Sequence, residues 1–143
     1  MAYTLKFDGG CWPNPGGPAS YGAILWKDGQ KIDWVMGSCG NPPKTSNNLA
    51  EHYGAYYGIE MFLRQYDGKD NNLLIQGDSE MVIKQLLGIY RLSKNSIYYP
   101  AGILSLSALQ KVKNKGISVK IQHIYREENQ DCDDLTKIML KGA

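Results

Sequence analysis

Hydrophobic and polar positions alternate along YTLKFD, with Tyr3, Leu5 and Phe7 on one side and Thr4, Lys6 and Asp8 on the other. That period of two predicts a strand ending at Asp8. The glycine- and proline-dense stretch GGCWPNPGGPAS predicts a tight loop. YGAILW reads as a second strand. Asp28-Gly29 in KDGQ signals a hairpin, and KIDWVMGSC reads as a third strand antiparallel to the second. After the loop NPPKT the period changes. Ala50, Ala55, Ile59, Phe62 and Leu63 recur at helical spacing and predict a helix from Ser46 to about Tyr66. DGKDNN is a turn, and LLIQG suits a buried strand. SEMVIKQLLG predicts a helix closed by Gly88, and IYRLSKNSIYYP has no regular period. AGILSLSALQKVKNKG predicts a helix ending at Gly116. ISVKIQHIY predicts a last strand, followed by a helix from about Asn129 to Leu140.

Three meandering strands, a helix, and then alternating strand and helix predict an α/β fold: a mixed sheet with helices packed on it. No repeat, low-complexity segment or shift in composition divides the chain, so residues 1–143 are expected to form one domain. One position breaks the helical pattern. Glu51 shares a face with Ala55, Gly58, Ile59 and Phe62, where a helix normally buries apolar surface.

Composition narrows the function classes. With 143 residues, 43% of them hydrophobic and 21% charged, the chain has the make-up of an ordinary globular domain able to bury a sizeable core. No apolar run approaches a membrane span, and MAYTLKFDGG, with its early Lys6 and Asp8, does not read as a signal peptide. Cys11, Cys39 and Cys132 are odd in number and widely spaced. That pattern points to reduced thiols in a cytoplasmic setting rather than a disulfide framework or a zinc site. A net charge of +2 allows a polyanionic partner without pointing to one.

The carboxylates carry the chemistry. Asp8 closes the first strand and Asp78 the fourth, while Glu51 and Asp133 fall in the first turns of helices. Each has a plain structural role open to it. Asp78 could cap a helix, Asp133 and Glu51 could complement helix dipoles, and Asp8 could start a turn. Ligand sites in such sheets form near the carboxyl ends of parallel strands, however, where all of these residues could meet. Carboxylates gathered there would repel and take up protons unless cations neutralised them. An oxygen-only set suits Mg²⁺ or Mn²⁺, and a pair of such ions supports phosphodiester hydrolysis.

The motifs FDGGCWPNPG, TSNNLAEHYGAYYGIE, QGDSEMVIKQLLG and HIYREENQDCDDLT, in that order, resemble those of type 1 ribonuclease H. They are most similar to its compact bacterial and archaeal branch, and they span essentially the whole chain. The resemblance implies a five-stranded mixed sheet of order 3-2-1-4-5 with helices on both faces. It implies a monomeric endonuclease that cleaves the RNA strand of an RNA/DNA hybrid with two Mg²⁺ ions, or Mn²⁺, leaving 5′-phosphate and 3′-hydroxyl ends. Double-stranded RNA is allowed as a further partner. Carried over by position, the metal-binding carboxylates are Asp8, Glu51, Asp78 and Asp133. Asp134 competes for the last place, and Asp133 is preferred because Asn129 to Asp133 matches the family's Asn-x-x-(Ala/Cys)-Asp.

By the same carry-over, Asn14 and the backbone near Cys11 touch the RNA strand, Asn47 and Asn48 reach the minor groove, Ser46 meets a DNA-strand phosphate, and Glu80 approaches a ribose hydroxyl. Turn formation by Asn14 and helix capping by Asn47 or Asn48 remain open as structural alternatives. His123 lies ten residues before Asp133, where the family places a histidine that assists proton transfer or product release; a structural histidine is the alternative. Arg126 could meet a phosphate or pair with Glu127 or Glu128. The basic protrusion of some relatives is expected to be absent, since IYRLSKNSIYYP supplies only Arg91 and Lys94. Trp12 is the tryptophan best placed for substrate, while Trp26 and Trp34 sit in predicted strands. A DNA-directed phosphodiesterase and a non-catalytic duplex-binding module are the rival readings of the same pattern.

Overall fold

The computed structural model describes residues 3–142, so Met1, Ala2 and Ala143 lie outside it. Its elements in chain order are β1 (Tyr3–Cys11), β2 (Ala19–Lys27), β3 (Gln30–Ser38), α1 (Asn47–Gln65), β4 (Asn72–Gly77), α2 (Glu80–Leu86), α3 (Tyr99–Asn114), β5 (Ser118–His123) and α4 (Gln130–Gly142). A 3₁₀ turn over Arg126–Asn129 leads into α4. The sheet runs β3-β2-β1-β4-β5, as the motifs implied. β1, β2 and β3 pair antiparallel, and β4 joins β1 and β5 in parallel.

The hairpin between β2 and β3 turns at Asp28 and Gly29, both at positive φ, which matches the right-handed twist of the flanking strands. Alternation along β1 and β2 sets the two layers. Leu5 and Ala23 face Gly58 of α1, while Gly22 faces Leu135 of α4, so these helices cover opposite faces. The main core lies on the α1 side. There Leu5, Phe7 and Ile75 from the sheet meet Ile59 and Phe62 from α1 and Val112 from α3, all fully buried.

Several boundaries differ from the sequence reading, among them the start of β2 at Ala19 and the end of β5 at His123, and two others bear on packing. β1 continues past Asp8 through Gly9 and Gly10 to Cys11, pairing with Tyr21, Ser20 and Ala19 of β2. Those glycines read as loop, but they are strand residues, and α1 crosses the strand over Gly9. A Cβ on Gly9 would stand 2.2 Å from the Ala50 carbonyl carbon, and one on Gly54 would stand 2.6 Å from the Asp8 carbonyl oxygen. Helix α3 begins at Tyr99 rather than Ala101, because Pro100 is tolerated in a first turn, where its missing N–H has no partner to lose.

Alanine normally outperforms glycine inside a helix by about 1 kcal/mol. At Gly54 the sign reverses, because the added methyl meets β1 backbone that cannot swing aside. Gly54→Ala is therefore expected to lower stability by about 2 kcal/mol in urea unfolding. An unchanged or raised midpoint would show that α1 does not sit this close to β1.

Candidate active site

Pairing between the parallel strands β1 and β4 stops at Phe7 and Gly77. Asp8 and Asp78 are the next residue on each chain, so the two carboxylates emerge side by side where the strands part. Glu51 arrives from α1, carried in by the close crossing at Gly9 and Gly54. One oxygen each of Asp8, Glu51 and Asp78 lies within 4.8 Å of the other two. Asp8 and Glu51 are each only 5% exposed, and Glu51 Oε2 is buried with no hydrogen-bond partner. This is why a carboxylate occupies the apolar stripe of α1: it points over the end of the sheet rather than into the core.

Burial, with repulsion from Asp78 adding to it, pushes the Asp8 carboxyl up to about 7, against a stabilising bond from the Gly9 N–H at 2.9 Å. Burial and the neighbouring Asp8 push Glu51 up as well. The set consists only of oxygens, it crowds negative charge, and it leaves an inward-facing oxygen unpartnered. Those three features fit a hard divalent cation such as Mg²⁺ or Mn²⁺.

Asp78 does not cap α2. Ser79 does, accepting from the Val82 N–H at 3.3 Å, which leaves the Asp78 carboxylate to the site. Asn129 holds Asp78 in place. Its Nδ2 donates to Asp78 Oδ2 at 3.2 Å and to the Phe7 carbonyl at 2.9 Å, bridging β1 and the end of β4. The sequence placed Asn129 in a motif but gave it no task. Cys132, fully buried, donates to the Lys6 carbonyl at 3.3 Å, so a small residue at that motif position lets α4 settle onto β1.

A cleft of about 500 Å³ opens over the three carboxylates, and Asp133 lines it from α4. Asp133 does not join their cluster among the described residues; its Oδ2 takes the Lys137 Nζ at 2.9 Å, one turn along. Asp134 is exposed and accepts from Gln130 at 3.0 Å, on a different recess that includes Trp34. Lys137 and Thr136 also line the cleft, and the sequence reading missed both. Lys137 was legible only as the i+4 partner of Asp133.

The remaining candidates divide. Cys11, Asn47, Asn48 and Arg126 line the cleft. The Cys11 N–H donates to Asn47 Oδ1 and the Asn47 N–H to Asn14 Oδ1, both at 2.9 Å, so Asn14 acts here as a tie between loop and helix. Ser46, and neither asparagine, caps α1 by accepting from the Leu49 N–H at 3.1 Å. Glu80 pairs with Lys84 at 2.6 Å and stands outside the cleft lining. His123 is exposed at the end of β5, with Nε2 3.2 Å from the Asp78 backbone oxygen. It stands beside the site rather than in its wall. One buried residue went unnoticed. His52, next to Glu51, sets Nε2 2.7 Å from Gln85 Oε1 and Nδ1 2.9 Å from Ser105 Oγ, joining α1 to α2 and α3.

This sheet order, with helices on both faces and acids at the open end of β1 and β4, is the ribonuclease H fold. The chain belongs to the reverse transcriptase-like family, whose model matches residues 6–138. Similar solved structures bear out the likeness to type 1 ribonuclease H in fold. RNase H1 from the halophilic archaeon Halobacterium salinarum is 24% identical with a TM-score of 0.79, over 99% of this chain and 98% of that one. The N-terminal RNase H domain of a Mycobacterium tuberculosis protein is 20% identical with a TM-score of 0.81, over 99% and 96%. LC11-RNase H1, from a compost metagenome, is 24% identical with a TM-score of 0.79, over 98% of both chains, and was solved in complex with an RNA/DNA hybrid.

Because Asp8 and Glu51 are held above their unfolded values, the metal-free fold binds protons that the unfolded chain has already released. Stability from this pair is present below about pH 4 and is lost as pH rises toward 7. Metal-free protein should therefore melt several degrees lower at about pH 8 than at about pH 5. Asp8→Asn should flatten that slope, and Mg²⁺ should raise the melting temperature of the parent at the higher pH but not that of Asp8→Asn. Scanning calorimetry at both pH values checks this. An Mg²⁺ shift that persists in Asp8→Asn would place the cation elsewhere.

Proposed function

We propose that the protein is a divalent-metal-dependent endoribonuclease that hydrolyses the RNA strand of RNA/DNA hybrids, leaving 5′-phosphate and 3′-hydroxyl ends. One observation carries the reading: Asp8, Glu51 and Asp78 converge at the open end of the sheet, with Glu51 Oε2 buried and unpartnered. The hybrid bound to the similar LC11-RNase H1 supports the choice of substrate. The free thiols of Cys11, Cys39 and Cys132 support a cytoplasmic setting.

In this reading Asp8, Glu51 and Asp78 hold Mg²⁺, or Mn²⁺ in its place, and Asp133 completes the acidic wall from α4. Cations held by these carboxylates would supply charge neutralisation for phosphodiester hydrolysis. The protein's own work is positioning. Asn129 fixes the Asp78 carboxylate through the Phe7 carbonyl, so the acid cannot turn away from the cleft. Asn47 and Asn48 present amides that both donate and accept, suited to the hydroxyls and base edges of a minor groove. The Cys11 segment and Asn14 hold that wall in register. Arg126 and Lys137 set cations beside the acids, where a phosphate diester would otherwise be repelled. The position of His123 against the backbone of Asp78 supports a part in proton transfer or product release in this reading. Ser46 and Glu80 are further candidates for a DNA-strand phosphate and a ribose hydroxyl respectively.

A labelled RNA/DNA hybrid should be cut in its RNA strand with Mg²⁺ and left intact without it. Losing a partner of a metal ligand costs about 10- to 100-fold, so loss of a ligand in Asp78→Asn should cost more than about 100-fold in rate. Undiminished cutting by Asp78→Asn, or equal cutting of duplex DNA, would remove the proposal.

A further inference from the structure

We propose that the indole of Trp12 is a docking face for the sugar edge of the strand whose phosphate enters the acidic cleft. This rests on the hybrid-nuclease reading and names a binding residue that the polar contacts leave out.

Trp12 is 77% exposed, more than any other large apolar side chain among the described residues. It lines the same cleft as Asp8, Glu51 and Asp78. An indole left in water is unfavourable, and an exposed aromatic beside a polar site marks a contact surface. The exposure is imposed by a fixed loop. The Trp12 N–H donates to the Pro18 carbonyl at 3.0 Å, and the Pro13 carbonyl accepts from the Gly17 N–H at 2.8 Å. Thr45 clamps the far side, its hydroxyl donating to the Gly17 carbonyl at 2.6 Å and its carbonyl accepting from the Gly16 N–H at 3.0 Å. Packing is tight enough that a Cβ on Gly17 would stand 2.3 Å from the Trp12 carbonyl oxygen. The ring is therefore carried on a loop whose backbone is already held in place, so little backbone freedom remains to be lost on binding.

The cleft selects the ligand chemistry. Bases in a duplex are stacked and closed to an indole, whereas sugar rings line the groove edges and offer C–H faces. Trp12 follows β1, four residues beyond Asp8, or about 13 Å along the strand. With a phosphate at the carboxylates, a sugar a few nucleotides away on the same strand reaches the ring. Asn47 and Asn48 on the same wall reach the polar groups beside it. Such an aromatic contact adds affinity without reading base sequence.

Steady-state cleavage of the hybrid by Trp12→Ala should show KM raised about ten-fold with kcat within about two-fold, since the ring acts in binding alone. Trp12→Tyr should recover most of the affinity. Trp34→Ala, an exposed tryptophan of a different recess, should match the parent. A second readout does not depend on turnover. In an Asp78→Asn, Trp26→Phe, Trp34→Phe protein, Trp12 is the sole indole, and its emission should change on titration with the hybrid. A parent that cuts the hybrid while Trp12→Ala keeps its KM, or a sole indole that does not respond to bound hybrid, overturns the Trp12 role and leaves the nuclease standing. A parent that neither cuts nor binds the hybrid removes both.

Discussion

The crossing of α1 over β1 is the constraint on which the site depends. Gly9 on the strand and Gly54 on the helix let two backbones approach to a distance that no side chain would permit. That approach places Glu51 above Asp8 and ends the helix's apolar stripe in a carboxylate. It also explains why β1 outruns β4: the strand must continue to Cys11, paired with β2, to supply the surface that α1 crosses. The placement of Glu51 is thus a product of packing farther along the same face of the helix, where Ile59 and Phe62 anchor it in the core.

Bringing like charges together in a buried place is unfavourable, and among the described residues no basic side chain joins the cluster to offset it, which leaves that role to protons or a bound cation. The elevated carboxyls of Asp8 and Glu51 are the sign of this tension. Asp133, outside the three-carboxylate cluster, pairs with Lys137. The cleft therefore combines a crowded cluster of acids with two basic side chains, Arg126 and Lys137, in its lining.

Much of this was legible in the sequence, because the decisive signals were local. The strand alternation around Leu5, the Asp28-Gly29 turn and the helical period broken at Glu51 each depend on a few neighbouring residues. What stayed hidden depended on contacts across the chain. Gly9 and Gly10 read as loop because a strand's need for glycine appears only when the crossing helix is known. Ser79 displaced Asp78 as a cap because the hydroxyl and the carboxylate sit side by side, and position alone does not choose between them. Asn129 stood in a quoted motif, yet its hold on Asp78 and Phe7 spans most of the chain.

His52 carries a consequence for how the molecule moves. It is fully buried, and that burial lowers its pKa; Gln85 accepts from one ring nitrogen, Ser105 faces the other, and Tyr98 stacks on the ring at 5.7 Å. The joint between the three helices on that side of the sheet is thus polar and directional but uncharged. Apolar contacts alone would let the helices slide; these hydrogen bonds fix their relative register while adding no positive charge behind the acids. One buried side chain, one residue from Glu51, thus ties α1 to α2 and α3 at a single point.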